Sequence, residues 1–272
     1  MRMKKAMGIL LSLLMAVSCL VVPAAAAQKP VLPKTARDSY GNQIAYEMKG
    51  KTLTIRQTKD AQVGDAMELA LYPLLDTCLP SDRNVVLTLD YDPIAVFALS
   101  DLVRSGRVHK VDFCGRQYTF TVKNGQVSKM KIDGQDVDMK YSHGRLASYE
   151  WWYGLGADSA EVKYKNGDVV SGKVGDYYEP YDFTCTVKDG ELSKVVKRGD
   201  TYKVDVSCLY KNGRIASVMS EGKEMYDFPF NKVTRYYYNT DGTLGSVDYH
   251  EVVYTQTGGA PEVDDVYFVY GY

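Results

Sequence analysis

The sequence predicts a mainly β protein, α+β overall: an antiparallel meander of repeated β-hairpins forming a curled sheet or barrel-like roll, with a small N-terminal α/β part. Three observations predict it. An apolar residue, two polar ones and a glycine recur as Val122-Lys-Asn-Gly125, Tyr141-Ser-His-Gly144, Tyr164-Lys-Asn-Gly167, Val187-Lys-Asp-Gly190 and Tyr210-Lys-Asn-Gly213, each followed two places on by Val127, Leu146, Val169, Leu192 or Ile215. From Gly144 the glycines return every 23 residues, at Gly167, Gly190 and Gly213. Upstream of each glycine, alternate positions are apolar in all five copies (Phe183, Cys185 and Val187 before Gly190, for example), while the residues between them are polar except Leu209. Strict alternation means a strand with one buried face. Asn-Gly and Asp-Gly suit the type I′ turn that joins two such strands.

In a two-residue loop the residue three before the glycine faces the one two after it. Tyr141 should therefore pair with Leu146, Tyr164 with Val169 and Tyr210 with Ile215. Beyond those pairs the apolar parity slips to Met130, Tyr149, Val195 and Val218, five places after the glycine, which predicts a β-bulge in each returning strand.

In chain order, residues 1–27 read as a signal peptide: Arg2, Lys4 and Lys5 precede an apolar run over residues 7–22, and Ala24 to Ala27 offer a cleavage site that would leave Gln28 first. The run is short for a membrane span. A lipidated Cys19 is the alternative, although Ala16-Val17-Ser18 matches a lipobox poorly. Residues 28–39, with Pro30 and Pro33, read as a flexible leader, and residues 40–114 as a small α/β segment. Within that segment, residues 44–48 and 53–55 form a hairpin around Lys49-Gly50, and residues 63–79 a helix kinked or ended by Pro73. Residues 85–89 read as a strand, a helix starts at Asp92-Pro93 and runs toward Gly106, and residues 108–113 form the next strand. The repeat region then takes residues 115–272. Turns at Asp133-Gly134, Arg198-Gly199-Asp200 and Glu221-Gly222 link its hairpins, a looser sixth copy surrounds Gly242, and Val266, Phe268, Tyr270 and Tyr272 alternate in a terminal strand. A dozen or more strands with one apolar face must curl, close or wrap something, and the helices are the obvious filling.

Without residues 1–27 the chain carries 33 − 3 = 30 basic residues against 34 acidic ones, which argues against a nucleic-acid partner. Four cysteines remain in a chain expected to be exported, so disulfides must be considered. Cys185 and Cys208 hold the same position in successive repeats with a returning strand between them. Their separation of about 9–10 Å exceeds disulfide reach, so both should be free and inward. A bridge from Cys78 to Cys114 stays open.

Tyr141-x-x-Gly144-Arg145-Leu146-Ala147-Ser148, Tyr210-x-x-Gly213-Arg214-Ile215-Ala216-Ser217 and Tyr238-x-x-x-Gly242-Thr243-Leu244 resemble the YD repeats of RHS-type bacterial surface and toxin-shell proteins over about residues 117–250. The Asp that usually follows the Tyr there is Ser142, Lys165 or Lys211 here. The resemblance implies an extracytoplasmic β-repeat scaffold and carries over no catalytic residue.

No nucleophile elbow, metalloprotease helix, phosphate loop or zinc-type cysteine spacing occurs. His109, His143 and His250 are scattered, and no metal or cofactor is expected. Asp90 and Asp92 at a predicted strand end are candidates for a general acid and base, against the plainer reading of a helix cap and a solvated loop residue. Tyrosine is the one compositional excess, at 23 residues against 7 Phe. In Tyr149-Glu150-Trp151-Trp152-Tyr153, if Tyr149, Trp151 and Tyr153 face inward, Trp152 and Glu150 face solvent. Trp152 and Glu150, with Tyr178 and Tyr237 if they share that face, are the candidate glycan-binding residues, against the alternative that another part of the chain covers Trp152. The expectation is a secreted or envelope-associated, non-catalytic scaffold or binding module whose partner is cell-envelope polysaccharide or another surface protein, with no transmembrane segment in the mature chain. The rivals are a secreted glycan-acting hydrolase and an outer-membrane-type β-barrel.

Overall fold

The computed structural model describes residues 31–60, 66–77, 80–89, 91–104, 108–113, 115–123, 126–153, 156–175, 180–224, 228–254 and 260–272. The signal segment, Cys78, Cys114 and Asp90 lie outside the described residues. Among the described residues, seventeen strands follow one another around a closed ring. They are β1 (Thr35–Asp38), β2 (Gln43–Lys49), β3 (Thr52–Lys59), β4 (Lys110–Phe113), β5 (Arg116–Lys123), β6 (Gln126–Ile132), β7 (Gln135–Ser142), β8 (Arg145–Tyr153), β9 (Gly156–Lys165), β10 (Asp168–Gly175), β11 (Tyr181–Lys188), β12 (Glu191–Arg198), β13 (Lys203–Lys211), β14 (Arg214–Glu224), β15 (Phe228–Tyr238), β16 (Leu244–Val253) and β17 (Glu262–Gly271). Each pairs with its neighbours in sequence, and β1 pairs with both β17 and β2, which closes the barrel. All described pairings are antiparallel except β3 with β4. A parallel pair needs a crossover, and here it consists of α1 (Ala66–Thr77), α2 (Pro80–Thr88) and α3 (Tyr91–Arg104).

These helices occupy the lumen. α1 lies against β1 and β2, α2 against β10 and β12, and α3 against β6 and β9, so each helix serves a different sector of the wall. Rings interlock where they meet: Tyr72 meets Tyr236 and Phe268, with centroids 5.8 and 5.3 Å apart, and Phe97 meets Tyr149 at 6.1 Å. Asn84 on α2 is buried, donates to the Gly190 carbonyl at 3.0 Å and accepts from the Leu192 amide at 3.3 Å, which holds the helix to the β11–β12 hairpin.

Pro73 sits inside α1 rather than ending it. Proline has no amide hydrogen, so the carbonyl four residues earlier, Leu69, loses its helical donor. The wall provides substitutes: the Tyr270 hydroxyl donates to Leu69 O at 3.3 Å, and the Tyr46 hydroxyl donates to Leu69 O at 3.4 Å and Ala70 O at 3.1 Å. Burial holds the Tyr270 hydroxyl protonated far above the usual phenol range.

The repeat reading holds in register. Tyr141 faces Leu146, Tyr164 faces Val169 and Tyr210 faces Ile215. His143, Asn166, Asp189 and Asn212 all have φ between 51° and 55° before a positive-φ glycine, as a type I′ turn requires. A bulge follows every repeat glycine on its returning strand, at Ser128, Ala147, Val170, Ser193, Ala216 and Gly245, three places after the glycine in all six copies. The third copy has no apolar residue at the next inward position because Gly172 stands there. A Cβ on it would lie 2.4 Å from the Phe183 ring, which already fills the space.

Adjacent repeats are also linked. Arg145, just after the second repeat glycine, lies 4.0 Å from the Tyr164 ring centroid and donates to the Gly167 carbonyl, while the Tyr164 hydroxyl donates back to Leu146 O at 2.8 Å. Arg214 does the same to Tyr238, at 4.9 Å, and to Gly242 O. The Arg of one Tyr-x-x-Gly-Arg segment thus reads the Tyr and Gly of the next hairpin.

Four expectations need correction. Residues 85–88 are helical within α2 and Leu89 follows its end, so no strand forms there; all five are buried or half-buried inside the barrel, so the apolar run carries no helical period. Residues 35–38, expected in the leader, form β1, with Ala36 and Asp38 buried. They are too few to show alternation and are held by partners distant in sequence. The strand β14 runs through Glu221-Gly222 instead of turning there. Gly222 is needed because a Cβ would lie 2.1 Å from the Lys203 carbonyl oxygen on β13. Lastly, α3 starts one residue before the expected cap, so Asp92 lies within its first turn.

Candidate functional site

Alternation along β8 divides its aromatic run. Tyr149 and Trp151 are 2% and 6% exposed, whereas Trp152 is 62% exposed and Glu150 faces outward beside it. The Tyr153 side chain lies outside the described residues. Trp152 stands opposite Ala157 and Glu150 opposite Ser159 on β9, so small neighbours leave the indole and the carboxylate standing proud.

A groove of about 1030 Å³ opens on this outer wall and crosses β7 to β12. Its floor is low because outward positions there carry small residues, Ser148, Ser159 and Gly175. A Cβ on Gly175 would lie 2.4 Å from the Ser159 hydroxyl, which would have to rotate aside. The flanks are charged. One cross-strand row runs Lys140, Ser148, Glu161, Lys173, Asp182 and Arg198 from β7 to β12. Lys173 pairs with Asp182 at 3.5 Å, and Arg198 turns to Asp205 on β13 at 2.6 Å. The neighbouring row begins with two acids directly opposite one another, Asp138 on β7 and Glu150 on β8. Glu150 lines the groove, and Trp152, which does not line it, lies two residues farther along the same face of β8, about 7 Å from Glu150.

Of the other expected members, Tyr237 does not join this site. Tyr178 lies outside the described residues. Tyr237 is 47% exposed on β15, seven strand-to-strand steps from β8 in the seventeen-strand ring. At about 4.8 Å per step that is some 34 Å of arc. There its hydroxyl donates to Asp248 at 3.1 Å, and the equally exposed Tyr267 on β17 faces Asp248 from the other side. Asp138, absent from the sequence reading, is the residue the register adds to Glu150. The signal that could have found it is the mirrored spacing about Gly144, once the bulge at Ala147 is counted.

The remaining candidates disperse. His143 caps a turn, and His250 pairs with Asp265 across β16–β17 at 2.6 Å. Nothing is described of the Asp92 side chain. Cys185 and Cys208 are free thiols, half-buried and buried respectively, as the meander order requires. Cys185 faces Val195 and Val195 faces Val206, so Cys208 lies two strands and two residues away. Burial raises both thiols, Cys208 to about 12. They behave as inert core residues.

Fold and site together define a closed β-barrel with a helical plug and a polar groove on its outer wall. No family model matches the chain, and no curated protein matches it either. Among the described residues no helix is long and apolar enough to cross a membrane.

Proposed function

We propose that the protein is an exported, non-catalytic cell-envelope scaffold or binding module, and that the groove side of its barrel holds a glycan. The observation that carries this reading is the 62% exposure of Trp152, two residues along the outer face of β8 from Glu150, which lines a groove walled by hydrogen-bonding side chains. A large apolar side chain left bare on a polar surface marks a contact site. An indole face beside a carboxylate suits a sugar ring, with C–H groups against the ring and hydroxyls to the acceptor. The resemblance to YD repeats supports an envelope setting. Cross-strand ion pairs on the outer wall, such as Lys131–Asp136 at 3.4 Å and Lys194–Asp205 at 2.8 Å, support an aqueous surface over a lipid-facing one. Trp152→Ala is expected to abolish retention on purified cell-wall polysaccharide while the thermal midpoint stays within about 2 °C. A large fall in midpoint with unchanged retention would remove the platform.

A second reading, a secreted glycan hydrolase, is favoured by one observation: Asp138 and Glu150 are paired carboxylates beside a groove. Against it, both are exposed on an open wall, with no enclosure that would exclude water from a reacting bond. Release of reducing ends by the wild type, lost in Glu150→Gln, would decide for hydrolysis.

A further inference from the structure

We propose that the groove takes a glycan bearing free amino groups, an ammonium group lying between Asp138 and Glu150 with its sugar ring against Trp152. The inference rests on the glycan-binding reading and narrows it to a chemical class.

The starting point is an uncompensated pair. Asp138 and Glu150 are directly opposed on adjacent strands and point to the same face. Directly opposed like charges destabilise a sheet. Two other acid pairs are directly opposed on this wall, Asp205 with Glu221 and Glu251 with Asp264, and each has a base on one member: Lys194 and Arg198 on Asp205, and Lys232 on Glu251. Nothing comparable reaches Asp138 and Glu150 among the described residues. The neighbouring bases are Lys129, next to Asp138 where the β6–β7 register continues, and Lys140, which faces Ser148, and neither forms an ion pair with the two acids.

The other charges along the groove are committed. Lys173 is held by Asp182, Arg198 by Asp205, and Glu161 has Lys163 at 4.0 Å. What is left facing the groove is Asp138, Glu150 and Asp200 against Lys140, a net negative lining. Charge complementarity therefore selects a cationic occupant. The exposed indole adjoining Glu150 adds a face that attracts ammonium and stacks on a ring. A neutral sugar would use the indole and leave the carboxylate repulsion in place; an amino sugar removes it. That difference makes the preference measurable.

The test is calorimetric titration of the mature chain with chitosan hexamers and, separately, with fully N-acetylated chitin hexamers of the same length. Chitosan is expected to bind at least tenfold more tightly at low salt, and the gap should close as salt rises. Asp138→Asn and Glu150→Gln should each weaken chitosan binding three- to tenfold with chitin unchanged, and the double variant should abolish the preference. Both side chains are exposed, so neither variant should lower the thermal midpoint. Relief of the repulsion should keep or raise it. Equal affinities for the two hexamers, with Trp152-dependent retention on cell-wall polysaccharide intact, would overturn the amino-glycan inference alone. Loss of that retention dependence would overturn the glycan reading itself. Poly-lysine binding as tightly as chitosan through the same two carboxylates would make a basic polypeptide the occupant and overturn the proposal.

Discussion

At the scale of single residues, the barrel is held together by polar groups that answer specific deficits. Pro73 removes a donor from α1, and Tyr46 and Tyr270 on the wall replace it from two strands. Tyr270→Phe would leave Leu69 O with only the longer bond from Tyr46, and a net hydrogen bond is worth about 0.5–1.5 kcal/mol, so the change is expected to destabilise the protein by about 1 kcal/mol in urea unfolding. The cause can be isolated with a cycle. In a Pro73→Ala background, residue 73 regains an amide that can donate to Leu69 O, and the cost of Tyr270→Phe should fall by half or more. An unchanged cost would mean that Tyr270 stabilises by packing and that its hydroxyl is incidental. Tyr46 and Tyr270 read from sequence only as inward strand positions. Their bond to α1 was not legible, since it depends on which sector of the wall the helix meets.

At the scale of elements, the repeat was legible almost to the residue, and the reason is local. Turn chemistry at Asn-Gly and Asp-Gly fixes each hairpin's register, and register fixes which side chains face inward. Even the bulges followed, because the displaced apolar residue is visible in the sequence. What was hidden lies between hairpins: the link from Arg145 to Tyr164 and Gly167 requires knowing that neighbours in sequence are neighbours in space, whereas the opposition of Asp138 to Glu150 lies within one hairpin and needed only the bulge at Ala147 to be counted. The same limit misread residues 85–89, whose run of β-branched and leucine side chains looks like a strand until a lumen covers it on all sides. The Arg link yields a prediction at this scale. Arg145→Ala loses a hydrogen bond and a face-on ring contact and should cost about 1–2 kcal/mol. Arg145→Lys should recover little of it, because an ammonium lacks the planar fork that stacks on Tyr164 and reaches Gly167 together. Full rescue by Lys in urea unfolding would show that charge alone matters there.

At the scale of the whole molecule, closure depends on its shortest members. β1 has four residues, yet it bridges β17 and β2, and the Lys34 amide extends the bridge by donating to Gly271 O at 2.7 Å. Asp38 secures the turn that follows, accepting from the Gly41 and Asn42 amides at 2.8 Å each. Without β1, residues 268–271 of β17 and 43–45 of β2 would present unpaired backbone edges over an apolar lumen, the arrangement that recruits strands from other chains. A chain starting at Ser39 is therefore expected to elute as dimers and larger species in light-scattering chromatography, with a clearly lowered thermal midpoint. A synthetic peptide of residues 31–40 should return it toward a monomer by occupying the vacated stave, whereas a peptide with Ala36→Asp should not, since that side chain enters the core at 2% exposure. A truncated chain that stays monomeric at the wild-type midpoint would show that β17 and β2 join directly and that sixteen staves suffice around the three helices.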